Sequence, residues 1–481
     1  MIEALYLHIP YCKQKCAYCS FYSMVPGLDR ALTDYDNNKL INPSNTSSTP
    51  EHSLDTTTCR DVQSYVDNLC SRIDELGKAG LLAHVRTLYI GGGTPSLLNA
   101  NQIAGLLKSV QEGRGAAQQG QLREITVEAN PESLTLDFLD ACKEQGVTRI
   151  SLGIQSMYDV ELAAVERLAC AKDNVRALDL LKNSAFSVSV DVMLGLPTQT
   201  STSLEQTILT LLACKRVGHV SVYPLSVESN TRLHVRLEKG SVQLPSEDKQ
   251  AALMEHTHQL LTTNGFHHYE VANYARPGLE AQHNRAYWTG REYLGLGPSA
   301  SSMVARPTYE QLSKRIRELP AASSFPEDMA RIRFTETGKN TQLRDESTSN
   351  ALLAQAPATQ APATQAPANQ APGRNLSYEL EGLTYEQSVA EDLMLASRLA
   401  SGLNGTIVAR AQDALGAKKV NSALHALCDQ GLLQRPQSLK GRSAGGVFAP
   451  TTKGWLLGNV MFSRLWDLTP TTKTFTLSSH S

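Results

Sequence analysis

Short apolar runs rich in β-branched residues alternate with longer amphipathic stretches through the first half of this chain. The predicted strands are residues 4–9, 86–90, 124–129, 149–153, 187–194 and 219–223. Helical patterns separate them, over 62–78, 102–110, 136–145, 175–183 and 204–216. Repeated strand, helix and strand units at this spacing require right-handed crossovers, which place the strands in one parallel sheet. Six repeats without an evident seventh or eighth predict an α/β fold with a partial (βα)6, TIM-like barrel.

The length and charge of the chain limit what it can be. Its 481 residues allow two or three domains, and its 45 Lys and Arg against 47 Asp and Glu give a net charge of -2. A balance this even does not indicate nucleic acid or an anionic membrane as the main partner. No apolar run reaches the roughly 18 residues that cross a bilayer, and the N-terminus lacks the pattern of a secretory signal. The sequence therefore predicts a cytoplasmic protein without a transmembrane segment.

Two polar stretches interrupt the pattern. Residues 26–59 are rich in Asn, Ser and Thr, which predicts a disordered insert. Residues 355–373 repeat the unit APATQ, and this Pro-spaced repeat cannot bury a core, so a spacer is expected. The predicted domains are a barrel over 1–230, an extension over 231–340, a low-complexity linker over 341–375 and a C-terminal domain over 376–481. Helices and two short strands in the last region predict a smaller α+β domain of winged-helix type.

Polar or Gly-rich residues follow nearly every predicted strand. In chain order they are His8 to Cys12, Gly91 to Pro95, Glu128 to Pro131, Gln155 with Ser156, Asp191 with Gly195 to Pro197, and Tyr223. Functional groups gather where parallel strands end, because those ends share one rim of the sheet. The sequence therefore predicts a functional site at this rim.

Three of the nine cysteines fall within eight residues, as Cys12, Cys16 and Cys19. Three thiolates on one loop with no fourth cysteine nearby suit a cubane iron–sulfur cluster whose remaining iron stays open to an exchangeable ligand. A structural zinc site is the alternative; it would need a fourth ligand, for which His8 is the near candidate. The six scattered cysteines are predicted to be small buried hydrophobes, since an odd count without a secretory signal argues against disulfides.

The three consecutive glycines Gly91 to Gly93 allow two interpretations. A tight turn between a strand and a helix needs glycine for its backbone angles. Alternatively, the missing side chains let a ligand approach the backbone closely. The position of the glycines beside the cysteine loop favours the ligand.

Five motifs, in this order, resemble the radical S-adenosylmethionine (SAM) superfamily. They are CKQKCAYC, LYIGGGTPS, VEANP, LGIQS and VDVMLGLPTQT. More narrowly, the chain is similar to the branch that contains heme chaperones of the HemW type and oxygen-independent coproporphyrinogen III dehydrogenases of porphyrin biosynthesis. The resemblance covers about residues 1–303, apart from the first insert, and the C-terminal domain. It implies a radical SAM barrel that holds a [4Fe–4S] cluster and S-adenosyl-L-methionine.

The resemblance also implies roles for individual residues. Cys12, Cys16 and Cys19 match the cluster ligands, and Tyr6 and Tyr18 match residues that pack near the cluster and the adenine. Gly92, Gly93 and Thr94, with Glu128 beside them, match the segment that meets the methionine amino group of SAM. Arg167 matches the residue that pairs with the carboxylate, and Gln155 and Asp191 match the residues that hold the ribose hydroxyls. The contact between Arg167 and the carboxylate would be charge-assisted. Without the resemblance, Arg167 would be interpreted as a solvated helix charge and Tyr6 as a core aromatic.

Two functions are open within this branch. In the first, the protein is a heme chaperone rather than an enzyme, and it passes heme to acceptor hemoproteins. The implied heme-binding residues are His283, Asn284, Tyr287 and Trp288 in the segment HNRAYW. In the second, it is a coproporphyrinogen III dehydrogenase, in which an electron donor reduces the cluster and an adenosyl radical abstracts hydrogen from the substrate. A homodimer is compatible with either.

Three features favour the chaperone. Dehydrogenases of this branch carry another cysteine two residues after the cluster triplet, where this chain has Phe21. They also have a long segment before the first strand, whereas this chain starts at that strand. Residues 265–303 are similar to the chaperone pattern, although Ser301 stands where chaperones commonly show histidine. If His283 is only a structural histidine, His267 and His268 are the next candidates for the heme ligand.

A nucleic-acid function is the weakest alternative. It would rest on the C-terminal domain, whose basic residues do not cluster as a recognition helix requires. These residues are Arg410, Lys418, Lys419, Arg435, Lys440 and Arg442.

Overall fold

The computed structural model describes residues 1–26, 56–115, 122–337, 376–435, 448–469 and 475–478. The predicted linker over 341–375 lies outside the described residues. So does the predicted insert over 26–59, apart from its first residue and the backbone of 56–59.

Six parallel strands form the core of the sheet. They are β1 (Ala4–Ile9), β2 (Thr87–Gly92), β3 (Glu124–Ala129), β4 (Arg149–Gln155), β5 (Ser187–Leu194) and β6 (Val217–Pro224). Each is hydrogen-bonded in parallel to the next one along the chain. The prediction of an α/β fold with six parallel repeats is confirmed, and β2, β4 and β6 extend slightly beyond their predicted bounds.

Helices between these strands cover the outer face of the sheet. They are α1 (Thr56–Lys78), α2 (Ala100–Gly113), α3 (Leu136–Glu144), α4 (Asp159–Ala164), α5 (Ala171–Leu181) and α6 (Ser201–Ala213). The side chains of Asn99, Thr135 and Thr200 accept a backbone N–H bond at the first turn of α2, α3 and α6. Such caps satisfy donors that have no partner within the helix, which sets where each helix begins.

Strands of the extension and of the C-terminal region lie on both sides of the parallel core. On one side lie β7 (His267–Glu270) and β8 (Asn273–Ala275); on the other lie β9 (Tyr293–Leu296), β10 (Ser301–Ala305), β11 (Met329–Thr337), β12 (Ser377–Thr384) and β15 (Phe475–Ser478). The helices of the extension are α7 (Arg232–Glu238), α8 (Glu247–Thr263), α9 (Gln282–Trp288) and α10 (Arg306–Leu312). Over the described residues the strand order is linear, with β15 and β7 at the edges, so the barrel is open.

The C-terminal region has a smaller hydrophobic core of its own, built around Leu393, Leu424 and Leu465. Its elements are α11 (Tyr385–Ala396), α12 (Gly405–Leu415), α13 (Ala417–Asp429), β13 (Leu433–Gln434), β14 (Ala449–Pro450), α14 (Thr452–Leu456) and α15 (Gly458–Trp466). Helices followed by a two-stranded ribbon match the predicted α+β domain. The domain boundaries stay a prediction, and β12 and β15 pair with the barrel's sheet rather than with this ribbon.

Buried contacts of Glu270, Trp288 and Arg398 join the C-terminal region to the barrel. Glu270, at the end of β7, is fully buried and accepts a hydrogen bond of 3.0 Å from the Trp288 indole N–H. The guanidinium of Arg398 lies over the rings of Trp288 and Phe462, at 5.0 and 4.2 Å. Burial raises the pKa of Glu270 to about 8 and lowers the pKa of Arg398 to about 10. Glu270 therefore keeps its proton in the folded protein well above the pH at which a free carboxyl group loses it.

We expect the stability of Glu270→Gln to differ from that of the wild type in a pH-dependent way. The pKa of Glu270 rises on folding from an ordinary 4.5 to about 8, so folding costs progressively more free energy as the pH rises through this window. Glutamine keeps the shape of the side chain and cannot ionise. The melting temperature of the variant, relative to the wild type, should therefore increase between about pH 5 and pH 8. Glu247→Gln, at the start of α8, is the control; a constant difference for Glu270→Gln would contradict the raised pKa.

Candidate functional site

The side chains that face into the barrel are mostly polar. Successive residues of a strand point to opposite faces of the sheet. Residues such as Leu7, Val127 and Leu152 pack in the apolar core under the helices. The residues that alternate with them are buried too, but they are polar: Tyr6, His8, Tyr89, Thr126, Ser151, Ser189 and Ser221. A TIM barrel is usually filled by branched apolar side chains, so this interior differs by providing hydrogen-bonding groups.

Cys12, Cys16 and Cys19 lie on the loop after β1, and all three thiols are free and partly exposed. Backbone bonds hold this loop in place: Ala17 N–H donates to the Val165 carbonyl at 2.9 Å. Burial, followed by the other two cysteines, raises the pKa of Cys19 to about 12. Since metal ions bind the thiolate, binding at this loop would release protons.

Two of the predicted SAM residues contact these thiols. The Thr94 hydroxyl donates to Cys12 Sγ at 3.5 Å, and Arg167 Nη1 donates to Cys16 Sγ at 3.6 Å. Burial opposes the charge of Arg167, but Tyr18 and Cys16 outweigh this effect and raise its pKa. Arg167 is therefore a fixed cation beside the cysteine loop and not a solvated helix charge.

Asn130 joins two of the predicted SAM residues, Thr94 and Arg167, at the rim of the barrel. The sequence analysis assigned it no role. Its amide N–H donates to Thr94 Oγ1 at 2.9 Å, and its Oδ1 accepts from Arg167 Nη2 at 2.7 Å. Arg167 Nη2 also donates to the Gly153 carbonyl at 2.6 Å. A Cβ at Gly153 would lie 2.8 Å from that nitrogen, so the contact requires glycine. The signal available in the sequence was the position of Asn130 at the end of β3, in the motif VEANP.

Gly92 and Gly93 let the cysteine loop lie against β2. Gly92 has φ of +114°, and a Cβ there would lie 2.6 Å from the His8 ring. At Gly93 a Cβ would lie 2.5 Å from the Tyr11 carbonyl oxygen. The space is thus occupied by the chain itself. The first interpretation, a tight turn, explains these glycines without a ligand, and their predicted contact with SAM stays a prediction.

Acidic groups line the upper part of the barrel interior. Glu128 accepts hydrogen bonds from the Tyr89 hydroxyl at 2.6 Å and from Gly92 N–H at 3.1 Å. Burial, followed by Glu128, raises the pKa of Asp191 to about 7. Gln155 has φ of +67°, which costs a residue other than glycine about 1–2 kcal/mol. None of these three predicted residues has the exposure of an ordinary surface group, and their contacts with SAM stay a prediction.

The aromatic residues Tyr6 and Tyr18 differ in their surroundings. Tyr6 lies in the barrel interior, 6.1 Å from the Tyr89 ring between centroids. Tyr18 packs with the apolar group that includes Val165 and Leu196, beside the cysteine loop. Their predicted packing near the cluster and adenine stays a prediction.

His8 is not available as a fourth ligand for zinc. Its Nε2 donates to the Tyr22 carbonyl at 3.0 Å, and its Nδ1 accepts from the Tyr6 hydroxyl at 3.1 Å. Burial lowers its pKa to about 4, so the ring is neutral. Among the described residues, no three His, Cys, Asp or Glu side chains converge on the position of a single metal ion. The ligands of a cubane need not converge in this way, because each binds a different iron atom.

His283 closes the bottom of the barrel. It is fully buried, with Nδ1 2.9 Å from Thr87 Oγ1 and Nε2 2.9 Å from the Tyr287 hydroxyl. Its backbone N–H donates to Glu124 at 2.9 Å, and Thr87 and Glu124 begin β2 and β3. Burial lowers its pKa to about 3. Both ring nitrogens therefore have protein partners in this structure, and the role of His283 as a heme ligand stays a prediction. The alternative interpretation, a structural histidine, fits the geometry.

Apart from Arg285, the rest of the HNRAYW segment is also buried. Asn284 is buried, the Tyr287 ring packs on Tyr293 at 4.6 Å, and Trp288 donates to Glu270. The predicted binding of heme by His283, Asn284, Tyr287 and Trp288 stays a prediction. Ser301, which stands where chaperones commonly have histidine, hydrogen-bonds to Thr335 Oγ1 at 2.7 Å.

The scattered cysteines are only partly as expected. Among the described residues, Cys142 is fully buried. Cys70, Cys170, Cys214 and Cys428 are partly buried, and all five are free thiols. The side chain of Cys59 lies outside the described residues.

Comparison with known proteins identifies the family. Residues 6–211 match the Radical SAM superfamily. The chain is 30% identical to the heme chaperone HemW of Lactococcus lactis over 345 residues, which cover 72% of this chain and 80% of that protein. It is 31% identical to HemW of Bacillus subtilis over 329 residues, covering 68% and 78%.

The chain belongs to the HemW family of radical SAM proteins. Its fold is similar to that of coproporphyrinogen III oxidase (HemN) from Escherichia coli, with a TM-score of 0.61 and 20% identity over 97% of this chain and 89% of HemN. A radical SAM domain implies a [4Fe–4S] cluster and SAM, in agreement with the three cysteines on the β1 loop. None of the helices in the described ranges is both long and apolar enough to span a membrane.

We expect Cys16→Ser to lose the full four-iron cluster, because serine cannot supply the thiolate that one of the three cysteine-bound irons requires. Iron and sulfide analysis after anaerobic reconstitution measures this. Cys428→Ser, on α13 in the C-terminal region, is the matched control and should keep the wild-type content. Four irons per chain in Cys16→Ser would show that the cluster ligands lie elsewhere.

We expect His283→Ala to lower the free energy of unfolding by about 2–4 kcal/mol. It leaves a cavity at the base of the barrel and removes two buried hydrogen bonds. Denaturant unfolding of the protein without heme measures the change. His234→Ala, on α7 at a partly exposed site, should shift stability by no more than about 0.5 kcal/mol. A similarly small effect for His283→Ala would contradict its role in closing the barrel.

Proposed function

We propose that this protein is a cytoplasmic heme chaperone that binds heme and delivers it to acceptor hemoproteins. The observation that carries the proposal is the similarity to proteins named heme chaperone HemW, which extends over about four fifths of the Lactococcus lactis protein. A HemW from Escherichia coli is 33% identical over 307 residues. The similarity therefore does not depend on one relative.

We further propose that Cys12, Cys16 and Cys19 hold a [4Fe–4S] cluster and that SAM binds next to it exchangeably. The donor set fits: three free thiols share one loop, and O–H and N–H donors reach two of them. Such donors stabilise the negative charge of bound thiolates. When bound, the cluster would supply an electron to the sulfonium of SAM.

The residues around the loop would bind and orient SAM. Arg167, held in place by Asn130 and the Gly153 carbonyl, offers a cation for the carboxylate. Glu128 would accept from the methionine amino group beside Gly92. Gln155 and Asp191 would hold the ribose hydroxyls. Asp191 can act as a donor as well as an acceptor near neutral pH, because burial raises its pKa to about 7.

The alternative function is an oxygen-independent coproporphyrinogen III dehydrogenase. The structural similarity to HemN supports the shared fold, and at 20% identity it supports no more than that. Phe21, at the position where dehydrogenases of this branch have a further cysteine, favours the chaperone. An electron donor for the cluster and a homodimer stay proposals under either function.

We expect the reconstituted protein to bind heme with a defined stoichiometry and to leave coproporphyrinogen III unconverted. An anaerobic optical titration at the Soret band measures heme binding. Chromatography of the porphyrins, after incubation with SAM and a reductant, measures conversion, and the Escherichia coli oxidase serves as the positive control. Conversion to protoporphyrinogen IX without heme binding would contradict the chaperone function and support the dehydrogenase.

A further inference from the structure

The side chain of Asn130 lies between the two residues that donate hydrogen bonds to the cysteine loop. Its amide contacts Thr94 at 2.9 Å on one side and Arg167 at 2.7 Å on the other. Thr94 in turn donates to Cys12 Sγ at 3.5 Å. Arg167 donates to Cys16 Sγ at 3.6 Å. One amide group therefore links the donors that reach two of the three predicted cluster ligands.

The backbone of Asn130 is held independently of the cysteine loop. Its N–H donates to Ser96 Oγ at 3.1 Å, and its carbonyl accepts from the N–H groups of Ser133 and Leu134, each at 3.1 Å. The hydroxyls of Ser96 and Ser133 lie 2.6 Å apart, and both residues are buried. The turn after β3 thus fixes the point from which the Asn130 side chain extends.

Hydrogen-bond chemistry fixes which way the Asn130 amide points. A guanidinium donates and cannot accept, so the atom that faces Arg167 must be Oδ1. The amide nitrogen then faces Thr94, and because this nitrogen only donates, Thr94 Oγ1 must accept. A threonine hydroxyl has a single proton, which stays available for Cys12 Sγ. The direction of each bond in this chain therefore follows from the amide of Asn130.

The direction of the Thr94 bond matters for a cluster held by Cys12. Reduction adds negative charge to an iron–sulfur cluster, and hydrogen bonds to the cysteine sulfurs stabilise that charge, so they raise the reduction potential. Thr94 is buried, at 2% exposure, so water does not readily replace its hydroxyl as a donor. A change that turned this proton away from the sulfur would therefore make the cluster harder to reduce.

We propose that Asn130 is a positioning residue that sets the reduction potential of the cluster. It acts by directing the Thr94 proton to Cys12 Sγ and by holding Arg167 in place. The inference rests on the proposed [4Fe–4S] cluster and names a residue that regulates it. This role requires an amide, because a carboxylate would accept from both neighbours and an apolar side chain would bind neither.

Asn130→Asp tests the proposal with almost no change of shape. Aspartate accepts from both neighbours, and its charge-assisted bond would draw the Thr94 proton away from Cys12. We expect the ratio of reduced to oxidised cluster at a fixed solution potential to fall about tenfold, equivalent to about 59 mV for a one-electron couple. A redox titration of the reconstituted protein without SAM, followed by electron paramagnetic resonance, measures the ratio. Iron and sulfide content should match the wild type.

Asn99→Asp is the matched control. Asn99 is the exposed cap of α2, in the same segment as Thr94, and aspartate caps a helix as well as asparagine does. This exposed charge is screened by solvent, so the ratio should change by less than about twofold. Thr94→Val removes the proton itself and should lower the ratio at least about threefold, in the same direction as Asn130→Asp.

The double variant separates the hydrogen bond from the added charge. If Asn130→Asp acts through the Thr94 proton, most of its effect should disappear in the Thr94→Val background. Equal effects in both backgrounds would overturn the proposal, because the added charge alone would then explain them. If Asn130→Asp does not retain four irons, Asn130→Ala takes its place, and a wild-type potential in that variant would also overturn the proposal. Absence of a cluster from the wild-type protein would overturn the proposed function instead.

Discussion

The polar interior of the barrel is the constraint on which the rest of the structure depends. A buried polar group without a partner costs free energy, so each end of the interior must be completed by hydrogen bonds. At the base, Glu124 accepts from the backbone N–H groups of Gln282 and His283 and pairs with Arg149. At the rim, Arg167 and Asn130 join the ends of neighbouring strands. The same constraint thus explains both the closed base and the ordered rim.

A motif does not reveal which partners its side chains meet in the folded chain. HNRAYW contains residues suited to heme, yet His283 is enclosed by Thr87, Tyr287 and Glu124. Gly92 and Gly93 suit a ligand, yet the β1 loop fills the space beside them. Conversely, Asn130 joins Thr94 and Arg167, which lie 36 and 37 positions away along the chain, and the sequence assigned it no role.

The sequence by itself determined the six parallel repeats, the rim as the place of the cysteine loop and the family, because periodicity and motif order are local properties of the chain. The tertiary structure decided which of the buried polar groups are already satisfied. His8 and His283 have partners on both ring nitrogens, whereas Nδ1 of His268 is buried without one. That difference depends on contacts between residues far apart in the chain, and hydrogen-bond saturation, unlike periodicity, leaves no pattern in the order of amino acids.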